Sequence, residues 1–215
     1  MSIKTENYTI QIDSISKKFE VAPLFHNLNF SLKTGQSLAV SGFNGSGKST
    51  FLQIMALLQN PTQGKIIYQK EREVIPLEQI YKKIGFLSPL LNPYEELNSL
   101  ENIDFILRPF YNKGDKETKI DEFLDRFGLF GYKKTLVKNL SSGTRQKLKI
   151  ILATINNPPY LFLDEPGTNL DKKGKEDIFS YLDLIKKERI IVIASNDPEE
   201  INFCEEELTF GARDN

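Results

Sequence analysis

Cysteine and histidine are almost absent from this sequence of 215 residues. The single cysteine, Cys204, excludes an internal disulfide framework and a zinc site built from several cysteines. The single histidine, His26, excludes any mechanism that needs two imidazoles. Because the chain holds one thiol and no possible internal disulfide, we expect it in a reducing compartment.

Long apolar runs and a strong charge bias are also absent. No stretch approaches the ~20 apolar residues that a membrane-spanning helix requires, and the most apolar segments, 160–163 and Ile190–Ala194, have the length of buried strands. Residues 1–11 lack the apolar core of a secretory signal. The net charge is -1, so nucleic acid is not an expected partner. If the protein works at a membrane, another protein must span it.

Strand and helix patterns alternate along the chain. Residues 8–15 and 28–32 read as half-buried strands, and 33–36 as a turn. An apolar strand over 37–41 leads into a glycine-rich loop and a helix predicted over 49–58. Later segments predict a helix over 144–155, a strand over 160–163, a helix over 173–187 and a strand over 190–194. This order predicts an α/β fold with a mainly parallel sheet covered on both faces.

The region 95–136 has a different sequence pattern from the rest of the chain. Charged residues are interleaved with Leu, Ile and Phe, and the predicted helices are broken at Pro109 and Gly114. We interpret it as an inserted helical subdomain that extends to about residue 152. A chain of this length suffices for one core with such an insertion. We therefore predict a single domain over residues 1–215.

A phosphate-binding loop is the most specific motif of the sequence. Gly42-Phe43-Asn44-Gly45-Ser46-Gly47-Lys48-Ser49 fits the pattern G-x-x-x-x-G-K-[ST] at every position. The glycines let backbone N–H groups turn inward, and the N-terminus of the following helix adds partial positive charge for phosphate. Lys48 can reach the β- and γ-phosphates, the Ser49 hydroxyl can bind Mg²⁺, and Thr50 completes the predicted site. The alternative is a glycine-rich surface turn, but the strand before the loop and the helix after it favour a nucleotide site.

Two acids end the apolar strand in Leu161-Phe162-Leu163-Asp164-Glu165-Pro166. Asp164 can hold Mg²⁺ through a water, and Glu165 can accept a proton from the water that attacks the γ-phosphate. Apolar strands that end in acids are common, so this stretch alone leaves a structural role open.

The stretch Leu140-Ser141-Ser142-Gly143-Thr144-Arg145-Gln146-Lys147 lies upstream of that strand. By itself it fits a serine N-cap on an amphipathic helix. Together with the phosphate loop and the acidic strand, it resembles the ABC transporter ATPase family over about residues 8–200. Residues 140–146 are similar to the signature motif of that family, Tyr160–Asp164 to its Walker B strand, and Asn169-Leu170-Asp171 to its D-loop. Phe19 stands where the family places an aromatic residue against adenine, although a core position is the alternative reading.

The resemblance implies a P-loop core with a small antiparallel β subdomain and a mechanism that uses ATP and Mg²⁺. Two subunits, as a homodimer or with a second ATPase subunit, would enclose two ATP molecules head to tail. Ser141 and Gly143 would contact the γ-phosphate held by the other subunit, aided by the helix N-terminus. The opening and closing of this dimer would drive a transmembrane permease subunit. The implied location is peripheral, on the cytoplasmic face of the cell membrane.

Two departures from the family pattern lie outside the phosphate loop. Ser142 replaces the first of two glycines in the signature motif, which a helix start tolerates. Pro89 stands where the family has its Q-loop glutamine, and proline offers no side-chain donor or acceptor. Ser88, beside it, is expected to substitute in part.

A third departure is Asn196, which replaces the switch histidine of the family. An amide can hydrogen-bond a γ-phosphate but cannot carry a proton. The alternative is that Ser195-Asn196-Asp197 forms a polar turn before Pro198. His26 comes too early in the chain to serve as a replacement.

Other functions remain open at this point. A soluble ABC-type ATPase acting on ribosomes or DNA usually carries two cassettes or long coiled-coil insertions, and this sequence shows neither. A nucleotide-gated binding module with slow hydrolysis is compatible with Pro89 and Asn196, whereas a small-molecule kinase has no use for the signature helix. Residues 97–102 and Ser141-Ser142-Gly143 are similar to haem-exporter-like ATPases of cytochrome c maturation.

Overall fold

The computed structural model describes residues 6–19, 22–109 and 113–211. The strands are β1 (Tyr8–Phe19), β2 (Ala22–Lys33), β3 (Ser37–Gly42), β4 (Gln63–Lys70), β5 (Glu73–Val74), β6 (Ile84–Leu87), β7 (Tyr160–Asp164), β8 (Ile190–Ala194) and β9 (Glu206–Phe210). The α-helices are α1 (Lys48–Met55), α2 (Leu77–Ile80), α3 (Ser99–Leu107), α4 (Lys113–Arg126), α5 (Ser142–Thr154), α6 (Lys172–Lys186) and α7 (Pro198–Asn202). Short 3₁₀ turns lie at Tyr81–Lys83, Phe130–Tyr132 and Val137–Asn139.

A five-stranded parallel sheet in the order β6-β7-β8-β3-β9 forms the centre of the fold. Every residue of β7 and β8 is buried. Tyr160 and Phe162 pack into one hydrophobic cluster, while Leu161 and Leu163 pack into another on the opposite face. Because strands buried on both faces lose the polar alternation, their sequences read as continuous apolar runs. The predicted α/β fold with a covered parallel sheet is confirmed.

An antiparallel sheet in the order β2-β1-β4-β5 covers one side of this core together with α1. Ile10 and Ile12 of β1 are buried in the shared cluster. The Tyr160 hydroxyl lies 3.1 Å from the Thr9 carbonyl oxygen and 2.9 Å from that of Gln69, and so links the two sheets. The antiparallel β subdomain implied by the resemblance is confirmed.

Helices α3, α4 and α5 lie between β6 and β7 in the chain, where the helical insertion is expected. Helix α3 ends at Leu107, before Pro109, as the sequence predicts. Gly114 does not break a helix, however, because it lies in the first turn of α4, where the backbone N–H groups have no partners within the helix in any case. Within the described parts of the chain, no helix combines the length and apolar character that a membrane span requires.

The predicted helix boundaries move by one to three residues. Helix α1 spans Lys48–Met55 instead of 49–58, because the chain turns at Ala56 and Leu57 takes a φ of 58°. Helix α5 begins at Ser142 and α6 at Lys172, each directly after a side chain that caps it. Strand β1 ends four residues later than predicted and β2 begins six residues earlier, and the sequence does not predict β4, β5, β6, β9, α2 or α7.

Candidate functional site

The candidate site lies at the carboxyl ends of three neighbouring parallel strands. Strands β7, β8 and β3 are adjacent in the sheet, and they end at Asp164, Ala194 and Gly42. The phosphate loop, the two acids and the segment around Asn196 therefore meet at one edge. This is the edge at which open α/β sheets bind ligands.

The phosphate loop has the backbone shape that its glycines were expected to permit. Gly42, Gly45 and Gly47 have φ angles of 133°, 86° and 105°, which residues with a Cβ rarely adopt. A Cβ on Gly42 would also lie 2.3 Å from the carbonyl oxygen of Phe210. Helix α1 follows with no side-chain cap on its first N–H groups. These donors are therefore available to an anion.

Lys48 is 7% exposed and is held by the loop itself. Its Nζ donates to the carbonyl oxygens of Gly42 at 2.6 Å and Phe43 at 3.2 Å. The buried Ser46 hydroxyl has no hydrogen-bond partner among the residues described. The loop thus holds the Lys48 ammonium in a fixed position, near a Ser46 hydroxyl that has no described hydrogen-bond partner and helix N–H groups that no side chain caps.

Asp164 and Ser49 form a pair of oxygen ligands at the end of β7. Asp164 is 4% exposed, and burial raises the pKa of its carboxyl above the ordinary value. A hydrogen bond from Ser49 and the charge of Lys48 act in the opposite direction, while the charge of Glu165 raises the pKa further. A buried carboxylate beside a hydroxyl fits Mg²⁺, which prefers a few hard oxygen ligands from protein together with phosphate oxygens.

Glu165 follows Asp164 with a φ of 50°. Its Oε2 accepts a hydrogen bond from the Thr168 hydroxyl at 3.2 Å. The Gln146 amide, on α5, donates to the carbonyl oxygens of Glu165 at 3.3 Å and Pro166 at 2.9 Å. Gln146 therefore fixes the backbone that carries the predicted base. Sequence reasoning missed this role because the two carbonyls lie about twenty residues away and have no residue-specific pattern.

Asn196 lies beside the phosphate loop. Its Nδ2 donates to Oδ1 of Asn44 at 2.8 Å. The polar-turn reading also holds for its neighbours, because the Ser195 hydroxyl accepts from the backbone N–H of Asp197 at 2.9 Å. A cavity of about 400 Å³ is lined by both Glu165 and Asn196, so the predicted base and the switch-position amide face the same space.

The signature residues form the start of α5. The Ser141 hydroxyl caps the helix by accepting from the Thr144 N–H at 3.1 Å, and its other described contact is with the Thr144 hydroxyl. A Cβ on Gly143 would lie 3.1 Å from the carbonyl oxygen of Asn169, in the predicted D-loop. The serine-cap reading is thus correct for Ser141. The use of Ser141 and Gly143 by another subunit stays a prediction.

Phe19 is 49% exposed, so the core reading of this residue is wrong. It ends β1 and pairs with Ala22 at the start of β2. In β2, Leu24 and Phe25 pack against Gly47 of the phosphate loop. This hairpin therefore joins the end of β1 to the part of β2 that contacts the loop, and Lys17 Nζ lies 5.0 Å from the centroid of the Phe19 ring. The contact of Phe19 with adenine stays a prediction.

Ser88 and His26 are the two residues considered from sequence as replacements for the missing family residues. Ser88 is buried, and its hydroxyl accepts from the backbone N–H of Leu90 at 3.3 Å. The partial substitution of Ser88 for the family glutamine stays a prediction. His26 is exposed on β2, which agrees with its exclusion from the site.

Comparison with known proteins gives one family. The model of the ABC transporter family matches residues 25–168. The methionine import ATP-binding protein MetN of Chlamydia abortus is 29% identical over 188 residues, which are 84% of this chain and 55% of that protein. The ABC transporter ATP-binding protein YvrO of Bacillus subtilis is 29% identical over 203 residues, 88% of each. The chain thus spans only about half the length of the methionine-import relative.

Solved structures agree with this result. A dimeric structure of the ATP-binding cassette MJ0796, in a post-hydrolysis state bound to ADP and Pi, matches with a TM-score of 0.83. It is 26% identical, and the match covers 94% of both chains. The similarity therefore extends over both sheets and the helical region.

Proposed function

The chain belongs to the ABC transporter family, and we propose that it binds and hydrolyses Mg²⁺-ATP in a head-to-tail dimer to drive transport through a separate membrane protein. One observation carries the proposal. The phosphate loop, Asp164, Glu165 and Asn196 occupy one edge of the parallel sheet, and the Gln146 contacts tie the signature helix to that edge.

The residues of this chain divide the work of hydrolysis. Loop N–H groups and Lys48 bind the phosphates, while Ser49 and Asp164 hold Mg²⁺, which supplies charge neutralisation at the phosphate oxygens. Glu165 takes the proton of the attacking water. The Asn196 amide orients the γ-phosphate, and Phe19 supports adenine. Ser141 and Gly143 complete the site on the second subunit.

Lys48→Ala tests the ATPase part of the proposal. Lys48 is the only cation that the phosphate loop carries, and no other group replaces its charge at the β- and γ-phosphates. We expect the variant to remain folded, to bind ATP more weakly and to lose at least about 10²-fold in steady-state phosphate release. Lys187→Ala, at an exposed position directly after α6, is the matched control. Hydrolysis by Lys48→Ala at the rate of the unmodified chain would overturn the assignment.

The membrane partner needs a docking surface, and we place it at a groove of about 620 Å³ between the parallel sheet and α3. Phe105 of α3, 49% exposed, stacks edge-on against Tyr94 across 5.3 Å within this groove. The charged residues that line it, Lys82, Arg108 and Lys149, are all cations. The complementary occupant is a short amphipathic helix of the membrane protein with apolar and acidic side chains. Such a subunit would work at the cytoplasmic face of the membrane.

Phe105→Glu tests this docking surface, because it places a negative charge where an apolar and acidic helix would sit. The test requires a multi-span membrane protein, sought among the genes beside the one for this chain, to be co-expressed. We then expect the variant to sediment with membranes much less than the unmodified chain. Its ATP hydrolysis without the partner should be unchanged. Phe130→Glu, a similarly exposed position outside the groove, is the control. Equal membrane recovery of both variants would refute docking at the groove.

A further inference from the structure

Lys149 connects the signature helix to the segment that carries proline in place of the family glutamine. Its side chain lies on α5, about two turns from the start of the helix. Its Nζ donates to the carbonyl oxygen of Ser88 at 3.3 Å and to that of Pro89 at 3.2 Å. The contact spans 61 positions of the chain and uses backbone oxygens alone, so it does not depend on a side chain at position 89.

Among the described residues, these two carbonyls are the hydrogen-bond acceptors of the Lys149 ammonium. Within the part of the chain that the structure describes, no carboxylate forms an ion pair with it. Burial and the neighbouring charge of Arg145 lower the pKa of the Lys149 ammonium. Lys147, two residues earlier on the same helix, pairs instead with Asp177 at 3.3 Å. A partly buried ammonium gains most from charge-assisted hydrogen bonds to fixed acceptors.

Lys149 also lies between two open spaces. It lines the 620 Å³ groove assigned to the membrane partner. It also lines a smaller cavity of about 260 Å³. Ser142, at the start of the signature helix, and Asn169, in the predicted D-loop, line the same cavity.

Leu152 and Ala153 of α5 line the groove directly. Lys149 adds a link from the helix to residues 88–91, of which Leu91 lines the same groove.

We propose that Lys149 is a positioning residue that holds residues 88–91 to the signature helix, so that ATP-driven movement of the helix is transmitted to the groove. It supplies through backbone carbonyls a connection that Pro89 cannot supply through its side chain. The transmission step rests on the proposed function. The contact itself does not.

The sequence contains no tryptophan, so a single introduced indole can report on this segment. Leu90 is 79% exposed, and Leu90→Trp is the parent for three further variants. Lys149→Met keeps the apolar stem and removes the donors, Lys149→Arg keeps donors, and Lys147→Met is the control on the same helix. Far-UV circular dichroism checks that all four are folded.

The steady-state fluorescence anisotropy of the introduced indole, measured without nucleotide, tests the contact. Loss of a charge-assisted hydrogen bond favours local opening by about tenfold, and an opened segment lets the indole reorient more freely, so the anisotropy should fall clearly in Lys149→Met. It should stay near the parent value in Lys149→Arg and Lys147→Met. If Lys149→Met and the parent have the same anisotropy, the proposed contact is overturned.

ATP titration in a Glu165→Gln background tests the transmission. The parent emission should shift on addition of ATP and Mg²⁺, and the shift should be lost in Lys149→Met and restored in Lys149→Arg. ATP affinity should stay within about twofold, because Lys149 does not touch the phosphate loop in this structure. An unaltered shift in Lys149→Met refutes transmission. If the parent binds no ATP, the proposed function fails, and the anisotropy result alone decides the role of Lys149.

Discussion

The amide of Asn196 differs from an imidazole in one physical respect that matters for catalysis. Both can donate a hydrogen bond to a phosphate oxygen, but only an imidazole takes up a proton near neutral pH. The described donor of Asn196 already points to a phosphate-loop residue, Asn44. In the proposed mechanism, position 196 therefore orients a phosphate, and proton transfer is left to Glu165.

Asn196→Ala should lower the steady-state rate of phosphate release at saturating ATP by about tenfold to a hundredfold, the range for one lost hydrogen bond to a charged group. The KM for ATP should change little, since the loop N–H groups and Lys48 bind the phosphates. Asn196→His should raise the rate if the pocket accepts the larger ring. Asn202→Ala, an exposed asparagine at the end of α7, is the matched control. Equal rates for Asn196→Ala and the unmodified chain would leave Asn196 as a turn residue only.

The sequence predicts best the positions of residues that belong to a local sequence motif. Lys48 and Asp164 stand at fixed places in a loop and at a strand end, and the structure brings them to one edge of the sheet. Gln146 and Lys149 were not predictable in the same way. Their partners are backbone carbonyls 20 and 61 positions away, and any residue type can supply a carbonyl.

At the scale of secondary structure, the degree of burial of a strand determines whether the sequence predicts it. Strands β7 and β8 are buried on both faces and were predicted as apolar runs. Strand β9 has one buried residue, Phe210, and β4 has one, Tyr68. Strand β4 shows no regular alternation of apolar and polar residues. Strand β9 alternates over only four residues, 207–210, at the lower limit of the length from which strands are predicted.

The sequence at the start of helix α3 can be explained in two ways, as a subfamily motif or as a helix cap. The stretch 97–102, whose likeness to a transporter subfamily was noted from sequence, contains a capping box. The Asn98 side chain accepts from the Glu101 N–H at 3.0 Å, and Glu101 accepts from the Asn98 N–H at 2.8 Å. Capping alone accounts for an Asn and a Glu at this spacing. The subfamily prediction therefore gains no independent support from this stretch.

At the scale of the whole molecule, a single chain holds only part of the machinery it is proposed to use. Its phosphate loop and acids share one edge of the sheet, but the described hydrogen bonds of Ser141 stay within its own helix. Helix α5 begins with N–H groups that favour negative charge. In the head-to-tail arrangement, the γ-phosphate of a second subunit would supply that charge, so closure requires ATP and two chains.

Glu165→Gln should therefore convert the chain into an ATP-dependent dimer. The amide keeps the size of the carboxylate and its acceptor for the Thr168 hydroxyl, but it cannot take a proton from water. Bound ATP then persists, and the closed dimer accumulates instead of reopening after hydrolysis. Light scattering should give one chain without nucleotide and two with millimolar ATP and Mg²⁺. The double variant Lys48→Ala/Glu165→Gln should stay monomeric, because weakened phosphate binding removes the group that joins the subunits. If the Glu165→Gln variant binds ATP yet keeps the mass of one chain, the head-to-tail mechanism is wrong for this protein.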